Sequence, residues 1–463
     1  MKLKSTYQKI LSDTITPVSI YLKIRDHFPN SILLESSDYH TNDNSFSYIC
    51  MNPIASFKLE NEHITIEKKN QKSKVLELSQ KEDLNLELKK FRDSFETQKF
   101  DFKFTTNALF GYTAYDSIRF FEDVKIGKRK DNIRIPDMYY AVYQNIIIIN
   151  HYNNEAYIFN HSADDSNYIS QIHHIIKNQT YATFNFDCDN DVISNLTDEE
   201  YKQKVIEVKQ HCQRGDVFQM VLSRRFHQKF EGDEFNVYRA LRSINPNPYL
   251  FYFDYTDFKI FGSSPEAQLI VNRQKAEINP IAGTFKRTGQ DEEDAASAKK
   301  LSEDPKENSE HVMLVDLARN DLSKSGKNVK VTTDKEIQFF SHVIHLVSKV
   351  TADIKNQKDA IDLAADCFPA GTLSGAPKPK ALQLIEKYED LNRNHYGGAI
   401  GILDFDGNYN HAIIIRSFLS KNHHLYYQAG AGIVNDSDPN SELQEVYNKL
   451  KALKAAMASA KNI

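Results

Sequence analysis

The chain has 463 residues, 40% hydrophobic and 26% charged, with a formal net charge of −5. That length buries a large core and allows two to four domains, and the composition excludes disorder. Acids and bases are interspersed without a basic stripe, which excludes a nucleic-acid-binding surface, and no run of about 18 apolar residues offers a membrane span.

The four cysteines, Cys50, Cys188, Cys212 and Cys367, are scattered and show no C-x-x-C. They read as reduced thiols of a cytosolic protein. The opening MKLKSTYQKILSDTITPVSIYLKI lacks the apolar stretch of a secretory signal, so a cytoplasmic location is expected.

Residues 1–160 read as strands and turns with a few helices. SILLESSD and FSYICMNPIASFKLE predict strand-turn-strand segments, and AVYQNIIIINHYNNEAYIFN a hairpin around Asn153-Asn154. Between them, Leu84, Leu88, Phe91 and Phe95 recur at helical spacing. A helix over DDSNYISQIHHIIKNQ leads into polar residues that mark a boundary. The expected domains are 1–160, a connecting segment 161–195, and 196–455.

Thr197 to Glu200 forms a capping box for a helix carrying Tyr201, Val205, Val208 and Cys212, which Gly215 stops. VFQMVLSRRF follows as a strand, with Phe218, Met220 and Leu222 on one side. Next come strands YLFYFDY, KIFGSS, AQLIVN and KAEINPIAG, and a helix over EEDAASAKKLS. The rest reads as helix 309–321, strands near 329–350, helix 358–366, the loop FPAGTLSGAPKPK and helix 378–390. Strands GGAIGILDF, NYNHAIIIRSFLS and HLYYQAGAGIV precede a last helix. Hairpins rather than β-α-β alternation argue an α+β fold, with large antiparallel sheets packed together and covered by helices.

Two Glu-x-x-Glu pairs stand out. Glu307 and Glu310 follow Asp304-Pro305, and Glu442 and Glu445 follow Asp438-Pro439. A three-residue offset puts each pair on one helix face, and Asp-Pro opens each helix. Facing helices of this kind present up to four hard oxygen donors, suited to Mg²⁺ with waters and an anionic substrate. On spacing alone, solvated helix faces are the commoner explanation. FPAGTLSGAPK invites a phosphate-loop reading, but it lacks Gly-Lys-Ser/Thr and follows a helix. A tight turn with amides facing a cleft fits better.

GDVFQMVLSRRF, LRSINPNPYLFYF, FGSSPEAQLIV, INPIAGT, DPKENSEHVMLVDLARND, SHVIHLVSKV, FPAGTLSGAPK, HYGGAIG and QAGAGIVNDSDPNSELQEVYNK occur in this order. With them the chain resembles the chorismate-utilising enzymes, and within these the anthranilate synthase branch. The resemblance is strong over about 200–450 and weaker upstream. It implies an α/β/β/α layering. The implied reaction joins chorismate and ammonia to give anthranilate and pyruvate through 2-amino-2-deoxyisochorismate, the first step of tryptophan biosynthesis.

The resemblance also implies roles. Glu310 and Glu445 would bind Mg²⁺, with Glu307 and Glu442 in or near the same shell. Glu266 would be the general acid for the C4 hydroxyl, and His345 would assist proton movement during pyruvate loss, with His342 a nearby decoy. Gly283, Thr284, Tyr396, Arg416, Gly430, Ala431, Gly432 and Lys449 would hold the substrate. Read without the resemblance, Glu266 is a cap or pairing group, Arg416 a surface residue and the glycines ordinary turns.

Two positions separate the branches. Isochorismate synthases carry a lysine base where this chain has Gln219, and aminodeoxychorismate synthase a lysine nucleophile where it has Ala282 in PIAGT. Neither residue can act as base or covalent nucleophile, which leaves ammonia to attack directly. The chain ends soon after its last helix, so the resemblance implies a separate glutamine amidotransferase subunit and hence a hetero-oligomer. It also implies feedback inhibition by tryptophan, with Ser36, Pro248, Tyr249 and Leu250 around the effector. The rivals are a sister synthase and, in another class, an inactive regulatory or scaffold subunit.

Overall fold

The computed structural model describes residues 1–463 apart from 37–44, 79–81, 128–132, 340–342 and 355–358, and apart from the side chains of residues 82, 284, 286 and 306. One antiparallel ladder organises the strands. From Gln219–Gly232 it passes to His424–Ile433, Ser417–Lys421, Lys259–Ser264, Tyr249–Asp254, Ile32–Ser36, Phe46–Glu60 and Met138–Asn150. It continues through Ala108–Thr113, Ala399–Asp404, Tyr409–Ile413, Ala267–Asn272, Lys275–Ile278 and Val343–Asp353 to Lys327–Phe339. Strands from before residue 160 and after 196 therefore pair directly at two places.

Three apolar clusters define the layers. One lies beneath the helices Pro17–Ile24, Ile169–Asn178, Asp198–Gln213, Phe235–Ile244, Lys378–Tyr388 and Pro439–Ala460. Another lies beneath Glu82–Asp93, Pro305–Ser325 and Ala360–Asp366. The third, rich in Phe and Tyr, is built from strands and their connections, with Phe46, Phe110, Tyr143, Phe251 and Leu419 among its members. This is the expected α+β architecture of antiparallel sheets covered by helices. Branched and aromatic residues suit such doubly covered strands, as in MYYAVYQNIIIIN over Met138–Asn150.

Local expectations hold at several points. Thr197 caps its helix, and Glu200 returns the bond to the Thr197 N–H at 2.7 Å. The 138–150 and 155–162 strands form the expected hairpin, turning at Asn154 with φ of 53°.

Other points differ. Phe218 precedes its strand and is 73% exposed, whereas Met220 and Leu222 are core. The polar stretch before 196 contains two short strands, Phe186–Cys188 and Ile193–Ser194, that pair with Gln219–Gly232. KAEINPIAG forms two strands separated at Asn279-Pro280, since proline cannot donate within a ladder. NYNHAIIIRSFLS likewise divides into Tyr409–Ile413 and Ser417–Lys421, and the break carries Arg416.

Candidate active site

The loop 368–377 docks on the start of the 219–232 strand. Gln219 pairs with Ala376, Met220 with Gly375, and the Val221 N–H donates to the Ser374 carbonyl at 2.9 Å. A Cβ at Gly375 would lie 2.2 Å from the Gln219 carbonyl oxygen, so the approach requires glycine. A buried ion pair fastens the loop. Arg393 binds Glu389 at 2.6 Å and donates to the carbonyls of Leu373 at 2.6 Å and Val221 at 3.0 Å. Glu389 in turn accepts from the Ser223 N–H and hydroxyl. The loop's amides at Leu373 and Ser374 close its own turn instead of facing a cleft.

What the loop contributes is Thr372, whose hydroxyl donates to Glu266 Oε1 at 3.1 Å. Desolvation raises the Glu266 carboxyl to about 7, against the opposing pull of Thr372, Arg416 and Lys449. The group is thus a carboxylic acid near neutral pH, the state a general acid needs.

Arg416 stands in the break between two strands with φ of 49°. Its carbonyl accepts from the Ser263 N–H at 3.1 Å, and the Ile413 N–H donates to the Glu266 carbonyl at 3.0 Å. One backbone junction therefore sets both side chains. A Cβ at Gly262 would meet Ser417 Cβ at 2.6 Å, so this junction too requires glycine. Burial lowers the Arg416 pKa, and Glu266 is the charged group opposing that shift. Among the described residues Arg416 forms no ion pair, which suits a carboxylate arriving from outside.

His345 lies in a strand segment buried on both faces. Its Nδ1 donates to the Gly283 carbonyl at 2.8 Å. Burial lowers its pKa, with Arg416 adding to the effect, so the neutral ring keeps its lone pair on Nε2. Gly283 itself has φ of +65° at a bulge, where a Cβ would stand 3.1 Å from Glu307 Oε2. Thr284 pairs through its backbone with His345. The Thr284 side chain and His342 lie outside the described residues.

Gln219 donates from Nε2 to Glu310 Oε1 at 3.2 Å, over a place that a Cβ at Gly432 would fill. Lys449 binds Glu445 at 2.7 Å and the Gly430 carbonyl at 2.8 Å. The Gly430 backbone also bonds buried Tyr396, and Ala431 is fully buried. Glu442 is buried, and together with Glu445 it acts electrostatically on Tyr201.

These groups overlap into one site. Lys449, bonded to Glu445, acts electrostatically on Glu266; Arg416 acts likewise on His345, which is bonded to Gly283; and Glu307, on the helix bearing Glu310, lies over the place a Gly283 Cβ would take. Among the described residues no three His, Cys, Asp or Glu side chains converge into a ready-made metal cage. The donors are nevertheless hard oxygens, and Mg²⁺ characteristically takes one or two carboxylates and completes its shell with water and substrate. The donor set fits that ion.

A family model described as chorismate binding enzyme matches residues 30–455. The chain belongs to the chorismate-binding enzymes. Anthranilate synthase component 1 of Lactococcus lactis is 35% identical over 96% of this chain and 98% of its own, and that of Aquifex aeolicus is 36% identical over 98% and 94%. The crystal structure of anthranilate synthase component I from Streptococcus pneumoniae aligns with a TM-score of 0.78 at 29% identity, covering 96% of this chain and 99% of that one. The menaquinone-specific isochorismate synthase of Escherichia coli, at 17% identity and a TM-score of 0.72 over 98% and 95% of the two chains, shares the fold.

Of the effector residues expected in this chorismate-binding enzyme, Ser36 and Tyr249 are cross-strand partners. Pro248 immediately precedes them. Leu250 pairs with Glu35 and turns to the other face, into the apolar cluster beneath the helices. Sequence reasoning missed Thr372, whose one signal was a hydroxyl in a glycine-rich turn, and the Arg393–Glu389 clamp.

Proposed function

We propose that this chain is the chorismate-binding subunit of an anthranilate synthase. It converts chorismate and ammonia to anthranilate and pyruvate through 2-amino-2-deoxyisochorismate. The single observation that carries this reading is Glu266, a carboxyl raised to about 7 beside Arg416. The chain carries Gln219 and Ala282 at the two positions where, by the resemblance, sister synthases carry lysine.

Arg416 holds a substrate carboxylate, with Tyr396, Lys449 and the Gly430–Gly432 backbone around it. Glu266 gives its proton to the C4 hydroxyl, which leaves as water while ammonia bonds at C2. In the second half, Nε2 of neutral His345 takes the C2 proton and the enolpyruvyl group departs as pyruvate. Gln219 orients Glu310 and performs no proton transfer. Glu310 and Glu445, with Glu307 and Glu442 behind them, would hold Mg²⁺, which would supply Lewis-acid withdrawal of electron density from the ring carboxylate.

Ammonia comes from a glutamine amidotransferase partner in a hetero-oligomer. Tryptophan inhibits by binding near Ser36, Pro248, Tyr249 and Leu250. Supporting the inhibition is a cross-strand row: Tyr249 pairs with Ser36 on one side and Ser264 on the other, and the Ser264 hydroxyl hydrogen-bonds the Glu266 backbone. No described helix is long and apolar enough to cross a membrane, in keeping with work in the cytoplasm.

Purified protein given chorismate, Mg²⁺ and ammonium at mildly alkaline pH is expected to produce anthranilate fluorescence that EDTA abolishes. Chorismate consumption without fluorescence would move the assignment to a sister synthase. No consumption would favour a scaffold.

A further inference from the structure

Glu266 borders a second compartment. Behind it lies a cavity of about 30 Å³, room for about two waters. Its apolar walls come from Ile278, Pro280, Leu314, Leu317 and Ala318, and its polar groups are Glu266, Thr372, Gln268 and Asp321. Arg416, His345, Tyr396 and Lys449 do not line it.

The polar groups are arranged for a small hydrogen-bonding guest. Gln268 is 3% exposed, and its Oε1 accepts from the Tyr409 hydroxyl at 3.4 Å. Its buried Nε2 has no acceptor among the described residues. A buried amide donor left unsatisfied costs roughly 1–3 kcal/mol, so a guest that accepts this bond is favoured. Across the cavity, Asp321 Oδ2 binds Lys378 at 2.6 Å, and Oδ1 takes no other bond among the described residues.

We infer that this cavity is a water site serving Glu266, in which waters held by Gln268 and Asp321 return a solvent proton to the carboxylate after each turnover. The inference rests on Glu266 as the general acid. In each cycle the Glu266 proton passes to the C4 oxygen, the C4–O bond breaks and water leaves. The C2–N bond forms, and the added ammonia sheds one proton to solvent. One solvent proton crossing the cavity restores the carboxyl, so charge balances. The charged groups around Glu266 are Arg416 and Lys449 on the substrate side and the Asp321–Lys378 pair across the cavity. Gln268 is a positioning residue, since it acts through water.

Two variants test the site by different means. Gln268→Met keeps the length and removes the amide, and Ala318→Val adds methyl groups to the wall. Both are expected to lower kcat about tenfold, part of the 10²–10⁴-fold that general acid catalysis supplies. The KM for chorismate should stay unchanged, and the solvent deuterium isotope effect on kcat should rise as proton return becomes limiting. Unchanged kcat in both variants, or a fall without a larger isotope effect, overturns the inference. Glu266→Gln is the parallel control: if it stays active, the general-acid reading itself fails, whatever the cavity variants do.

Discussion

The helices Pro305–Ser325 and Pro439–Ala460 begin alike and arrive in different surroundings. Each opens on Asp-Pro, and each aspartate caps its first turn, Asp304 accepting from the Glu307 N–H at 3.1 Å and Asp438 from the Ser441 N–H at 2.9 Å. Each carries Glu-x-x-Glu one turn in. On the first helix, Glu310 meets the neutral amide of Gln219. On the second, Glu445 meets the lysine of its own helix, with both side chains 46% exposed. Spacing fixes the face a carboxylate occupies, whereas neighbours from other elements decide whether its charge is already offset. On the proposed function Glu310 would meet the metal ion while bonded to a neutral amide, whereas Glu445 would divide its charge between that ion and Lys449.

Glu310→Gln removes the carboxylate bonded to the neutral Gln219 amide, and turnover at fixed Mg²⁺ should fall at least ~100-fold, matching several kcal/mol of lost Lewis-acid stabilisation. A variant of near-normal rate would remove this helix from the metal site. Gln219→Leu leaves the carboxylate and deletes the amide that orients it. Mg²⁺ affinity, read by titrating activity, should weaken about 10–100-fold, the range for such outer partners. Lys449→Met should do least. The exposed pair contributes under ~1 kcal/mol to stability, and the KM for chorismate should rise about fivefold, equivalent to ~1 kcal/mol. A large fall in Tm would show that Lys449 is structural.

Elements governed by local physics were legible in the sequence. The Thr197–Glu200 box, the Asp-Pro helix starts and the 138–162 hairpin depend on neighbours in the chain, and each stands where its residues place it. The chemistry of the site depends on contacts between distant segments. The tautomer of His345 is set by the Gly283 carbonyl, 62 residues away in the chain. Arg416 sits in what looks like one apolar strand, and only the close approach of Gly262 and Ser263 explains the break. Phe218 fits the alternation of its strand yet lies outside it, because the ladder with the 368–377 loop begins at Gln219. Thr372, a hydroxyl in a turn, acquires a role only once Glu266 is beside it.

The most direct test of the account is the pH dependence of kcat/KM for chorismate, expressed per free ammonia so that the substrate's own ionisation is removed. Glu266 must be protonated to act, and its carboxyl is raised to about 7 by burial. Activity should therefore be full below about 7 and fall tenfold per pH unit above it, as loss of one proton requires. A profile flat from about pH 6 to 8.5 would contradict the assignment of Glu266 as the acid.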